Sequence, residues 1–194
     1  MFENEITKYK ALNELAEHGG SVIFGGSDDI EIPLCELKQA FSLGSNLYNR
    51  SFPEISVSCA KEIYDICVAD LCPDNVLLHI GAADIKLFGE NKQQFDSEYR
   101  ELIAGIRKHD KKCNIVIVSL KNSSDSAVIS DMNQHLRYIA ETEHCEFVDI
   151  GVKHIQRLRE NKDVLSFVYS AGFVHPLSNK LPLYDLADVL FCCG

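Results

Sequence analysis

The chain reads as an α/β protein, a doubly wound, three-layer arrangement around a five-stranded parallel sheet. Two observations carry this. Val76-Leu77-Leu78-His79-Ile80 and Ile115-Val116-Ile117-Val118 are continuous apolar runs, the pattern of strands covered on both faces. Between such runs lie longer stretches with apolar residues at helical spacing, so strands and helices alternate. At 194 residues the chain suits a single domain over 1–194, with residues 1–20 an N-terminal helix leading into the first strand.

In order, residues 4–18 place Ile6, Tyr9, Leu12, Leu15 and Ala16 on one helical face, and Gly19-Gly20 ends the run. Residues 21–25 form the first strand. Pro33 to Phe41 predicts a short helix opened by proline, and Asn46 to Arg50 a second strand. Ile55, Val57, Ala60, Ile63, Ile66, Cys67 and Val68 line a core-facing helix over 54–70, stopped by Pro73. The third strand is 76–80, followed by a polar loop. A helix spans Lys92 to Lys108, and the fourth strand is 115–118. Ser130-Asp131 opens another helix, 146–150 is the fifth strand, and helical patterns return at Val152–Leu158 and Lys180–Phe191.

The formal net charge of −10 argues against a nucleic-acid partner, whose phosphates would be repelled. No apolar run approaches the roughly 18 residues of a membrane span. Met1-Phe2-Glu3-Asn4-Glu5 has neither a basic nor an apolar leader region. These features lead to the expectation of a cytoplasmic protein with no membrane partner; the oligomeric state is left open. The eight cysteines include no C-x-x-C pair. Cys35, Cys59, Cys67, Cys113 and Cys145 sit singly in apolar patterns, as small hydrophobes do, so neither zinc nor a disulfide framework is implied.

Chemistry gathers where strands end. In an open α/β sheet, ligands bind beyond the carboxyl ends of the strands. There the chain places Gly25-Gly26-Ser27-Asp28-Asp29, Asn49-Arg50-Ser51 and Gly81-Ala82-Ala83-Asp84, with Gly172-Phe173-Val174-His175-Pro176 arriving late. A hydroxyl, an imidazole and loop amides are the parts of an acyl-transfer site. The same Gly-Gly-Ser-Asp serves equally as a β-turn. Asp28, Asp29, Asp84 and His175 together would suit a hard metal ion, a third reading.

Phe24-Gly25-Gly26-Ser27, Asn49-Arg50-Ser51-Phe52, His79 to Ile85 and Gly172 to Pro176 resemble, in order, the four blocks of the SGNH/GDSL hydrolases. The resemblance implies a flavodoxin-like sheet and, among that family's activities, a serine esterase acting on small acyl esters, including carbohydrate O-acetyl groups, with no cofactor and no metal. It implies Ser27 as nucleophile and His175 as base, with the backbone N–H groups of Ser27 and Ser51 holding the oxyanion. Asp28, Asp29, Asn49, Ala83 and Asp84 become site neighbours. A second register, Gly26-Ser27-Asp28-Asp29-Ile30 on the family's Gly-Ser-Ser-Ser-Ile, puts Asp28 at the nucleophile position. The chain departs from the family where Ala83 replaces an asparagine whose amide is an oxyanion donor, and where Gly172 replaces the aspartate that orients the histidine. Those losses also suit a second function, a catalytically inactive relative that keeps the cleft for binding.

Overall fold

A computed structural model describes residues 2–40, 45–121 and 126–149. Its centre is a parallel sheet of five strands: β1 (Ser21–Gly25), β2 (Leu47–Asn49), β3 (Asn75–His79), β4 (Asn114–Val118) and β5 (Glu146–Val148). Their order is β2-β1-β3-β4-β5. After β1 the chain steps outward to β2, then returns to β1's other side to lay down β3. The order therefore reverses between β1 and β3, and adjacent connections there leave a crevice at the strands' carboxyl ends. The register sets Gly25 beside His79 and Ile23 beside Asn49, so three loops leave the sheet close together.

The sheet is buried on both faces, which is why its strands read as unbroken apolar runs. Val22, Phe24, Leu78 and Ile117 point into one core; Ile23, Leu77 and Val116, on the opposite face, are fully buried too. The helices are α1 (Glu3–Asn13), α2 (Leu34–Ala40), α3 (Val57–Cys67), α4 (Ile85–Glu90), α5 (Lys92–His109) and α6 (Ser126–Thr142). Phe95, Tyr99, Leu102, Ile103 and Ile106 of α5 and Met132, Leu136 and Ile139 of α6 are buried, as their spacing predicts.

Three expectations need correction. The first helix stops at Asn13 rather than near residue 18, leaving Leu15 almost wholly exposed. Gly19 and Gly20 then take left-handed φ values of 88° and 80° to enter β1, and a side chain on Gly20 would strike the Asn46 carbonyl. The polar loop expected after β3 is instead a 3₁₀ turn, Ala82–Asp84, running into α4. Finally, α6 begins at Ser126, ahead of the expected Ser130.

Among the described residues no helix is long and apolar enough to cross a membrane. Cys67 and Cys113 are buried, and burial pushes the Cys113 thiol up to about 12. Cys35, expected within the apolar pattern, is exposed. The patterns at 152–158 and 180–191, and Cys192-Cys193, lie outside the described residues.

Candidate active site

The turn after β1 is built around a buried carboxylate. Ser27–Asp29 forms a single 3₁₀ turn, closed by the Asp29 N–H on the Gly26 carbonyl at 3.1 Å. The Asp29 side chain folds back beneath it, accepting from the Gly26 N–H at 3.0 Å and lying 2.9 Å and 3.1 Å from His79 Nδ1. Both residues are buried, and Asp29 completely so. This explains the first glycine of the pair: a Cβ on Gly25 would lie 1.8 Å from Asp29 Oδ2. Gly26 has no such constraint, since a Cβ there would meet nothing nearer than 3.9 Å. Folding Asp29 inward turns Ser27 and Asp28 outward, where both are exposed.

The loop after β2 is drawn alongside. Its ladder to β1 continues past the strand, with the Arg50 N–H on the Ile23 carbonyl (2.8 Å) and the Phe52 N–H on the Gly25 carbonyl (3.0 Å). Asn49 ties the two loops, donating to the Asp29 carbonyl at 2.7 Å and accepting from the Ser51 N–H at 2.9 Å. Arg50 is buried, gripped by Asn13 Oδ1 at 3.0 Å and 2.7 Å and stacked on the rings of Tyr9 and Tyr48. Asn49 and Arg50 are therefore structural ties.

Ser51, expected to offer its backbone N–H to an oxyanion, is fully buried with that N–H already on Asn49 Oδ1. The backbone N–H that meets Ser27 belongs to Glu54. It donates to Ser27 Oγ at 3.0 Å. Glu54 reaches this position with φ at +50°, a left-handed conformation costing a non-glycine residue about 1 kcal/mol.

The loop after β3 supplies Gly81, Ala82 and Ala83 to the same cleft. Asp84, expected as a site neighbour, is buried and points away: its carboxylate accepts from the Val57 N–H at 3.0 Å and 3.3 Å, anchoring the first turn of α3. Burial pushes its pKa up to about 6; the Val57 hydrogen bond opposes this and the Glu98 charge adds to it.

These loops enclose a cleft of about 610 Å³. Ser27, Asp28, Asp29, Glu54, Ser56 and His79 give it a polar side, while Ile85, Leu120 and Ile129 join the two alanines on a mostly apolar one that also carries Lys121. Ser27, Asp28, Asp29 and Ala83 thus meet in one cleft, whereas Asn49, Ser51 and Asp84 hold its walls together. His175, expected as the base, lies outside the described residues. Among the described residues no group of three or more His, Cys, Asp or Glu side chains is placed to hold a metal ion.

Sequence reasoning passed over the Glu54 N–H and the Asp29–His79 pair. A backbone donor leaves no mark on residue type. His79 sits within an apolar run, 50 positions from its partner.

No protein-family model and no curated protein matches the chain. Solved structures share its fold. It is similar to an acetyl xylan esterase at 13% identity, covering 90% of this chain and 98% of that one, with a TM-score of 0.67. A GDSL-like lipase from Bacteroides thetaiotaomicron superposes with a TM-score of 0.63 at 12% identity, covering 75% and 77% of the two chains. An acetyl-xylooligosaccharide esterase from Geobacillus gives 0.59 at 17% identity, covering 91% and 94%. At these identities the likeness establishes the fold and stops there.

Proposed function

We propose, from the SGNH/GDSL hydrolase fold of this chain as premise, that it is a serine hydrolase cleaving small acyl esters, carbohydrate O-acetyl groups among them. The observation that carries the reading is the exposed Ser27 hydroxyl beyond the carboxyl end of β1, with the Glu54 N–H directed at its oxygen from 3.0 Å. That hydroxyl also favours the register in which Ser27, not Asp28, is the nucleophile.

In the proposed reaction Ser27 Oγ forms a bond to the ester carbonyl carbon while its proton passes to His175. The C–O bond to the alcohol breaks, and the alcohol leaves with that proton. Water then attacks the acyl-Ser27, gives its proton to His175, and releases the acid as Ser27 recovers a proton. In this reading the oxyanion role that the resemblance gave to Ser51 passes to the N–H of Ser27 itself and to the Glu54 N–H, which donates to Ser27 Oγ in the resting site and turns to the adjacent oxyanion once Oγ has bonded to carbon. The missing amide at Ala83 leaves this hole one donor short. Such a loss costs about 100- to 1000-fold in rate, so the enzyme is expected to be slow.

A second reading, a binding module without catalysis, draws on that same methyl group. The two separate on p-nitrophenyl acetate hydrolysis by the parent chain and by Ser27→Ala. The hydrolase reading requires the variant to lose at least about 100-fold. Equal slow rates in both overturn it.

A further inference from the structure

The cleft is chemically lopsided, and the lopsidedness follows strand order. Its hydroxyls and carboxylates hang from the ends of β1 and β2, where Ser27 and Glu54 meet. Moving across the sheet past His79, whose Nδ1 lies on Asp29, to the ends of β3 and then β4, the lining becomes Ala82, Ala83 and Ile85, then Leu120 and Lys121, with Ile129 of α6 closing in. Leu120 and Ile129 are almost fully buried. The close seating of Leu120 depends on a bare Gly81, at φ +132°, where a Cβ would lie 3.3 Å from Leu120 Cδ1. Asp28 and Glu54, by contrast, are exposed, so these two carboxylates belong to the open side, while that of Asp29 is buried against His79.

Resting on the hydrolase reading above, we infer that the β3–β4 half of the cleft is an acyl pocket for a hydrocarbon chain of about six to eight carbons, a length set by strand spacing. An acyl group held on Ser27 with its oxygen toward the Glu54 N–H has its remaining substituent directed away from Glu54, along the sheet edge. Neighbouring parallel strands lie about 4.8 Å apart, so β4 is two spacings, about 10 Å, from β1. A chain of six to eight carbons spans roughly that distance. The leaving alcohol must escape, and the exposed side with its solvated carboxylates gives it a polar exit. An acetyl group fills only the first part of a 610 Å³ cleft and touches little of the apolar wall.

The test is kcat/KM of the parent chain for p-nitrophenyl acetate, butyrate, hexanoate and octanoate, which share one leaving group. Each methylene that moves from water onto the apolar wall is worth roughly fourfold. Hexanoate is therefore expected to exceed acetate by at least tenfold. The hexanoate-to-acetate ratio is expected to fall at least fivefold in Ile85→Ser, and likewise in Ala83→Leu, which fills the pocket from an exposed position. A maximum at acetate, or a ratio unmoved in a folded variant, overturns the acyl pocket and leaves the hydrolase reading standing. Hydrolysis of none of the four overturns the hydrolase reading, and the pocket with it.

Discussion

The turns after β1 and β3 have the same form and opposite content. Each follows a buried parallel strand, each is a 3₁₀ turn opened by glycine, and each ends in a buried aspartate: Gly26-Ser27-Asp28-Asp29 and Gly81-Ala82-Ala83-Asp84. In both, the aspartate N–H closes on the glycine carbonyl, at 3.1 Å and 2.9 Å. The first presents a hydroxyl and a carboxylate to the cleft, whereas the second presents two methyl groups. Their aspartates differ as well. Asp29 has an imidazole and a backbone N–H on its carboxylate, whereas Asp84, among the described residues, has the Val57 N–H. The pairing teaches that a buried aspartate is the scaffold of either turn, and that the two residues before it decide whether the turn bears chemistry.

Breaking the scaffold should cost most. Gly25→Ala drives a methyl into the Asp29 carboxylate, 1.8 Å away, and that carboxylate is held in place by the Gly26 N–H and by His79 Nδ1. A loss of about 3 kcal/mol or more is expected, read as a lower denaturant midpoint. Gly26→Ala, at a position with open space, should be close to neutral.

Asp84 sharpens the contrast through pH. Its folded pKa, about 6, lies above the unfolded value, so between about pH 4 and 6 the folded protein holds a proton that the unfolded chain releases. Its contribution therefore favours folding below pH 4 and falls as pH rises through 6, by on the order of 3 kcal/mol for a group this deeply buried. Urea unfolding of Asp84→Asn across that range should show a flatter profile than the parent. A parallel profile would contradict the burial argument.

A small effect also belongs to Glu54. Glu54→Gly removes the left-handed strain but keeps the N–H that meets Ser27 Oγ. Stability should rise or hold within about 1 kcal/mol, the freed strain being offset by the greater entropy of an unfolded glycine.

The sheet was legible because burial on both faces writes itself as unbroken apolar runs, and Ile115 to Val118 carries no other reading. The short α4 was not: six residues containing Gly89 make fewer than two helical turns, too few for a periodic pattern to repeat. At the cleft, the glycine of the Gly-Gly-Ser turn has a packing reason, since a Cβ on Gly25 would run into the Asp29 carboxylate folded beneath it. Ser51 misled because its place in a motif says nothing of where its N–H points; that is settled by Asn49, two residues away. Asp84 misled for a related reason, since a carboxylate near a cleft in sequence can turn its back on it to cap a helix.

The central claim, that the Ser27 hydroxyl is the reacting group of this cleft, is tested most directly by covalent trapping. The parent chain would be treated with a fluorophosphonate and digested, and the modified peptide located by mass spectrometry. The account requires the phosphonyl group on Ser27 and no labelling of Ser27→Ala. A label on any other side chain, or none on a folded parent protein, would contradict it.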